Sequence, residues 1–126
     1  MESQFKDFLE RFRAEVEKTM KNEVASMGMI QRSIMQSFMP LYINLFTDAG
    51  KACLVIQKSF DVTIENPSNS PDVLVEGDFS VLKELFANRD SNSFKKAEQE
   101  GKIKLSSFSF KGQQALNRIR EYLSGR

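Results

Sequence analysis

The spacing of apolar residues in this sequence changes at Pro40. In residues 2–27, apolar side chains recur every three or four positions, which is the period of one face of an α-helix. The stripe consists of Phe5, Phe8, Leu9, Phe12, Val16, Met20, Val24 and Met27. A second helical stretch is predicted over 29–38, and the helical N-terminal region is predicted to be 1–40.

From Leu41 onward the apolar period is two, which is typical of β-strands. The strands predicted from this alternation cover 41–46, 52–56, 60–65, 72–76 and a stretch beginning at Lys102. The sequence Asp48-Ala-Gly-Lys51 predicts a hairpin turn between the first two strands.

Helical patterns separate the last two strands and end the chain. A helix is predicted over 79–88 with Asp78 as its N-cap, and a shorter one starts at Ser91 or Asn92 and ends before Gly101. The last helix is predicted over about 111–124. This order of elements predicts a single α+β domain, 1–126, in which region 41–126 forms a five-stranded, mostly antiparallel sheet with helices packed on one face.

Composition excludes several classes of function. The 18 Lys+Arg residues balance 17 Asp+Glu residues, and basic residues are not concentrated in either half, so a nucleic-acid surface is not expected. One Cys and no His exclude an internal disulfide, the usual zinc sites and a nucleophile activated by histidine. We therefore expect no metal, no cofactor and no catalysis.

The apolar segments are short. None approaches the roughly 20 residues of a membrane span, and the charged start MESQFKDFLERF lacks the apolar core of a signal peptide. We therefore expect a cytoplasmic protein. Cys53 lies among the apolar residues of a predicted inner strand and is expected to be a core thiol.

The alternation within the last predicted strand loses its phase. In GKIKLSSFSFKG, Ile103 and Leu105 share one face, whereas Phe108 and Phe110 fall on the face of the lysines. A β-bulge at Ser106–Ser107 would add one residue and return both rings to the apolar face. We therefore expect the two phenylalanines to pack under the last helix.

The second half of the chain resembles the sterol carrier protein type two family. The resemblance is carried by SPDVLVEGDFSVLKELF followed by SFKKAEQEGKIKL, and it is good over roughly 41–106. It implies a five-stranded sheet that encloses an apolar tunnel with its helices, and binding of fatty acids, acyl-CoA, sterols or isoprenoid-like lipids without chemistry. Glu98 and Gln99 depart from the family pattern, as do the residues after Leu105.

Nine apolar side chains are candidates for the lining of such a tunnel, because they are predicted to point inward at one end of the sheet. They are Phe46, Leu82, Phe86, Phe94, Phe108, Phe110, Leu116, Ile119 and Leu123. Taken singly, each of them is more readily explained as part of a filled core, because protein interiors are close-packed. Lys111 and Arg118 are candidates for contact with a polar ligand head group.

Two other functions remain open at this point. The chain is alternatively an interaction or accessory protein with a filled core, which docks a partner or forms a homodimer through its N-terminal amphipathic helix. An enzymatic function is the least favoured interpretation. Asp72, Glu76 and Asp78 are close in sequence, but acids at strand ends are usually solvated. The glycines lie too far apart for a phosphate-binding loop.

Overall fold

The computed structural model of the chain describes residues 2–125 and contains five helices and five strands. The helices are α1 Glu2–Ala25, α2 Met29–Ser37, α3 Phe79–Asn88, α4 Ser91–Gln99 and α5 Phe110–Leu123. The strands are β1 Leu41–Thr47, β2 Gly50–Ile56, β3 Val62–Glu65, β4 Val73–Gly77 and β5 Ile103–Ser107. The α+β fold class and the order of elements predicted from the sequence are confirmed.

The five strands form one sheet with the order β3-β2-β1-β4-β5. Strand β1 pairs in parallel with β4, and the other neighbouring strands are antiparallel. The parallel pair requires a crossover, which β2, β3 and the loop that follows them provide. The loop 66–71 thus connects distant sheet positions rather than forming a tight hairpin.

One face of the sheet packs against the helices. Leu41, Ile43 and Leu45 of β1 point to this face and join the helices in one buried apolar cluster. The other strands contribute Ala52, Leu54, Ile56, Val62, Val73, Val75, Ile103 and Leu105 to the same cluster. Nearly all of the α1 stripe belongs to that cluster or packs against it. The sheet therefore buries its odd-numbered β1 side chains under helices, as a half-exposed antiparallel sheet is expected to do.

Aromatic rings fix α1 and α3 to each other over the sheet. Phe8 lies at 5.6 Å from Phe79 and 5.3 Å from Phe86, both in edge-to-face geometry. Phe12 approaches Phe86 at 5.7 Å. A Cβ atom at Gly50 would stand 2.7 Å from the Phe5 ring, so a glycine is needed where α1 crosses the start of β2.

Three helices begin at side chains that accept a hydrogen bond from the first turn. Asp78 accepts from the backbone N–H of Ser80 at the start of α3, as predicted. Asp90 accepts from the N–H of Ser93 and caps α4, so the predicted capping by Ser91 or Asn92 is wrong by one or two residues. Gly101 has a φ of 74° after α4, which confirms the predicted C′ glycine.

The predicted bulge at Ser106–Ser107 is wrong. The pairing of β4 with β5 continues without interruption to Val73 opposite Ser107, and the chain then leaves the sheet. Ser109 caps α5 by accepting a hydrogen bond from the N–H of Gly112 at 3.0 Å. Because α5 starts here, Phe108 and Phe110 are 60% and 73% exposed instead of packing beneath that helix.

The other face of the sheet is covered in part by the loop 66–71. Asn44 is 2% exposed, and its side chain exchanges two hydrogen bonds with the backbone of Ser68, at 2.9 and 3.0 Å. Cys53 lies beside it on β2 and is buried, as predicted. Burial raises the pKa of the Cys53 thiol, so the thiol stays protonated at neutral pH.

Within residues 2–125, none of the helices combines the length and the apolar character that crossing a bilayer requires.

A candidate ligand-binding site between α1 and α5

An apolar cavity of about 100 Å³ lies between α1 and α5, above β1 and β2. Ile43 and Ile56 of the two strands form its floor. Its walls are formed by Phe12, Glu15, Val16, Thr19, Met20 and Glu23 of α1 and by Ala115, Arg118, Ile119 and Tyr122 of α5. Most of this lining is apolar, and the charged side chains are at the edges.

The cavity lies along a part of α1 that is less deeply buried than the parts on either side of it. The apolar residues Phe12, Val16, Met20 and Val24 follow one another at steps of four. Phe12 and Val24 are buried, whereas Val16 and Met20 between them are half-buried. On the opposite wall, Ala115 and Tyr122 of α5 are also half-buried. These side chains border a cleft, whereas the floor beneath them is fully packed.

The two helices run antiparallel along the cavity. Glu23 and Arg118 form an ion pair at one end, and the carboxylate of Glu15 acts electrostatically on Tyr122 at the other. Burial, and to a lesser extent Glu15, raises the pKa of the Tyr122 phenol. The phenol is therefore neutral at physiological pH, and the cation of the cavity lies at the Arg118 end.

Arg118 and Lys111 have different roles, although both were candidates for contact with a head group. Arg118 lines the cavity. Lys111 donates a hydrogen bond to the carbonyl of Pro40 at 2.9 Å and lies 3.7 Å from the carboxylate of Asp72. Lys111 thereby ties the start of α5 to the start of β1, which is a structural role.

One of the nine predicted lining residues, Ile119, lines the cavity. Five others are buried in the apolar cluster around it, and they are Leu82, Phe86, Phe94, Leu116 and Leu123. The Phe86 ring lies 5.6 Å from that of Tyr122, which lines the cavity. Whether any of these five residues contacts a ligand stays a prediction, because none of them lines the cavity.

Phe46, Phe108 and Phe110 do not lie where that prediction placed them. Phe46 follows Leu45 on β1 and therefore points away from the helices, and Lys51 Nζ lies 5.0 Å from its ring centre. Phe108 and Phe110 are at the surface. Side chains of β1 with even numbers point to the face that the loop 66–71 covers in part. The alternation in the sequence places Phe46 and Leu45 on opposite faces, but it does not show which of the two faces the helices cover.

The sequence-based candidates missed the wall that α1 contributes. Phe12, Val16 and Met20 were recognised as an apolar stripe, but their half-burial depends on how far α1 and α5 approach each other. The spacing of the stripe gives no signal for this, because the same step of four leads from Met20 to Val24, which is buried.

A larger groove lies at the other end of α1, against the start of β2 and the end of β3. Its volume is about 970 Å³, and Lys6, Lys51 and Glu65 contribute to its walls. Apolar ligands are bound mostly by apolar walls with few polar groups, and the cavity between α1 and α5 fits that description better.

The exposed apolar surface of the N-terminal region is on α2 rather than α1. Met29, Ile30 and Ile34 are 86%, 78% and 54% exposed, and Phe38 next to them contacts Phe110 with ring centres 6.4 Å apart. Within the α1 stripe, Phe5, Phe8, Leu9, Phe12 and Val24 are buried in the domain's own core, and Val16, Met20 and Met27 pack against it. Docking of a partner through the apolar face of α1, the alternative that the sequence left open, therefore lacks an accessible surface.

No protein-family model matches the sequence, and no curated protein sequence matches it. Two solved structures resemble the fold over most of the chain. The sterol carrier protein domain 2 of Helicoverpa armigera matches with a TM-score of 0.53 at 17% identity, over 92% of this chain and 87% of that chain. The ubiquinone synthesis protein UbiJ-SCP2 matches with a TM-score of 0.50 at 14% identity, over 92% of this chain and 96% of that chain. The likeness shows that the chain has the sterol-carrier fold.

Proposed function

We propose that this chain binds one apolar ligand in the cavity between α1 and α5 and carries out no chemistry on it. The observation that carries the proposal is the half-buried apolar lining of two adjacent helices above a fully packed floor. The sterol-carrier fold supports it, since proteins named for sterol transport and for ubiquinone synthesis share that fold.

The size of the cavity sets a condition on binding. A cavity of about 150 Å³ can hold a molecule the size of benzene, whereas pockets for larger ligands usually measure roughly 300–1,000 Å³. A cavity of about 100 Å³ therefore holds a short apolar segment only. To bind a whole fatty acyl, sterol or isoprenoid group, α1 and α5 must move apart while both remain on the sheet.

Burial of the ligand supplies the driving force. Each methylene group that leaves water contributes about 0.8 kcal/mol, so six buried methylene groups contribute about 5 kcal/mol. Part of this offsets the cost of separating α1 from α5 and of ordering the chain of the ligand. The ligand class that fits is a fatty acid, acyl-CoA, sterol or isoprenoid-like lipid. If the protein also binds the membranes that donate and accept this lipid, it can transfer the lipid between them.

The experiment that tests the proposal fills the cavity. Ala115 lines the α5 wall and is half-buried, so Ala115→Leu places three more carbon atoms in the space. Ala14→Leu makes the same change on an exposed position of α1 and is the matched control. We expect the wild type and the control to bind a fluorescent fatty-acid analogue, and we expect Ala115→Leu to bind it at least tenfold more weakly.

Unfolding in urea provides the necessary check on the two variants. If Ala115→Leu remains folded and binds the analogue as tightly as the wild type does, the ligand site is elsewhere and the proposal fails. If neither the wild type nor the control binds an apolar probe, the binding function itself is wrong.

A single buried cysteine suits a reducing compartment, and we place the protein in the cytoplasm as part of the same proposal. Fractionation of cells that express the tagged chain would test this, and recovery outside the cytoplasmic fraction would contradict it.

A further inference from the structure

The ion pair between Glu23 and Arg118 joins the two helices that border the cavity. Both side chains line the cavity, and Arg118 Nη1 donates to Glu23 Oε1. The two residues are 95 positions apart in sequence, so the pair is a tertiary contact between α1 and α5. It lies at one end of the cavity, opposite the end formed by Tyr122 and Glu15.

The pair is open to solvent. The side chains of Arg118 and Glu23 are 55% and 32% exposed. Ion pairs with this degree of exposure contribute little to stability, because water screens them and both side chains lose freedom when they pair. Glu23 can therefore be replaced as the partner of Arg118 at a small cost in stability.

The side chain of an arginine can exchange one anionic partner for another. Its guanidinium group is charged at every physiological pH and presents paired N–H donors that match the two oxygens of a carboxylate or a phosphate. Of the lining side chains, Arg118 alone is a cation, and Glu15 is about two turns of α1 away from Glu23. Arg89 and Arg11 lie near Tyr122 at the Glu15 end, with the Arg89 guanidinium 4.1 Å from the Tyr122 ring centre, but neither lines the cavity. An anionic group inside the cavity therefore meets the lining cation at the Arg118 end.

We propose that Arg118 binds the anionic head group of an amphiphilic ligand whose apolar chain enters the cavity, and that Glu23 occupies this position in the absence of ligand. This inference rests on the proposed function, since it assigns the ligand class and its orientation at the same site. The head group takes the place of the Glu23 carboxylate, and the apolar chain extends along α5 toward Tyr122. Exchange of the Glu23 carboxylate for the head group removes one weak tertiary contact between α1 and α5.

The test compares ligands that differ only in the head group. Dodecanoate, dodecyl phosphate and 1-dodecanol are titrated against the full chain loaded with Nile red, a neutral apolar dye whose fluorescence falls on displacement. We expect the wild type to bind both anions about tenfold more tightly than the alcohol, which is the size of effect expected of one charge-assisted contact. A difference in affinity between dodecanoate and dodecyl phosphate then shows whether the site prefers a carboxylate or a phosphate.

Two substitutions at the pair are expected to act in opposite directions. Arg118→Gln should bring the affinity for dodecanoate down to that for 1-dodecanol. Glu23→Gln removes the competing carboxylate. It should raise the affinity for dodecanoate several-fold and leave the affinity for 1-dodecanol unchanged. The matched control is Arg120→Gln, because Arg120 is on the same helix, pairs with Glu98 at 2.7 Å and does not border the cavity; it should keep the wild-type preference.

The outcomes separate this inference from the proposed function. If all three ligands displace Nile red equally from the wild type and from Arg118→Gln, the role of Arg118 is overturned while binding in the cavity stands. If Arg120→Gln loses the preference as well, the effect comes from net charge and the inference also fails. If Nile red and all three ligands fail to bind to the wild type, both proposals fail. Should Arg118→Gln not fold, an unchanged affinity of Glu23→Gln for dodecanoate overturns the inference.

Discussion

A single buried carboxylate, that of Asp72, connects three elements of the fold. Asp72 is 7% exposed. Its Oδ2 accepts from the backbone N–H of Tyr42 at 2.9 Å, and its Oδ1 accepts from the hydroxyl of Ser109 at 2.8 Å. Its backbone carbonyl accepts from the N–H of Phe108 at 2.9 Å. A Cβ atom at Gly112 would lie 2.1 Å from that carbonyl oxygen, so α5 begins in direct contact with Asp72.

These contacts explain why the sequence misassigned Phe108 and Phe110. Local alternation suggested that the two rings belong to the apolar face of an extended strand. The strand ends instead at Ser107, because Asp72, more than 30 residues away in the chain, takes up the hydrogen bonds of Phe108 and Ser109. A contact over that separation leaves no trace in local periodicity.

We expect Asp72→Ala to destabilise the protein by about 2–3 kcal/mol, because it leaves the part-buried N–H group of Tyr42 without its acceptor and removes the partner of Ser109. The free energy of unfolding in urea measures this. Glu121→Ala, at an exposed position of α5, is the control and should stay within about 0.5 kcal/mol of the wild type. Equal stability of the two variants would show that Asp72 does not hold β1, β5 and α5 together.

At the scale of elements, α1 belongs to the core and protects the edge of the sheet. Strand β3 is an edge strand, and unpaired edges favour association with other chains. The N–H group of Val62 donates to Glu17 Oε2 at 2.8 Å, and its carbonyl accepts from Arg13 at 3.2 Å. Side chains of α1 thus take the place that a further strand would occupy.

We expect Phe8→Ala to destabilise the protein by about 3–5 kcal/mol, since the Phe8 ring is buried among Phe12, Phe79 and Phe86. Ile30→Ala on α2, where the side chain is 78% exposed, serves as the control and should have almost no effect. Thermal or urea unfolding compares the two. A small effect of Phe8→Ala on stability would mean that α1 is not part of the core. It would then favour the alternative in which α1 docks a partner.

The contact between α1 and β3 should also depend on pH. The hydrogen bond from the Val62 N–H group lowers the pKa of Glu17 below its ordinary value of 4.5, and the nearby Lys21 and Arg13 lower it further. A carboxylate with a lowered folded-state pKa stabilises the fold above its unfolded-state pKa, and this contribution is lost as the pH falls through the folded-state value. We therefore expect wild type to exceed Glu17→Gln in stability at pH 7.

That difference should shrink as the pH falls through the lowered folded-state pKa of Glu17, because the carboxyl group is then protonated in both states. Urea unfolding at a series of pH values measures it, with Glu121→Gln as a control that changes an exposed carboxylate of α5. A difference between wild type and Glu17→Gln that stays constant from pH 7 to pH 3 would contradict the role assigned to the Glu17 charge.

The order of helices and strands was predictable because each element carries its own period and its own boundary residues. Asp78 before α3 and Gly101 after α4 mark helix ends by local chemistry. The cavity was not predictable in the same way. It depends on the distance between α1 and α5, which meet across the sheet although most of the chain separates them, and residues such as Val16 and Ala115 acquire their role only from that approach.

The whole molecule combines a tightly packed sheet with two helices, α1 and α5, whose facing side chains are in part only half-buried. The strands that face the helices are fully buried at Leu54, Val73 and Leu45, so the sheet is a rigid floor. The walls are half-buried and joined at one end by an exposed ion pair between Glu23 and Arg118. A binding protein needs this difference, because the site must open while the rest of the fold remains intact.

Native mass spectrometry of the purified chain, followed by organic extraction, tests the central claim most directly. We expect each chain to carry one co-purified lipid molecule or one molecule of added dodecanoate. Ala115→Leu should lack the additional mass of the ligand, and Ala14→Leu should retain it. A wild-type chain that stays bare in the presence of excess dodecanoate, 1-dodecanol and Nile red would contradict it. The cavity between α1 and α5 would then be a packing gap rather than a ligand site.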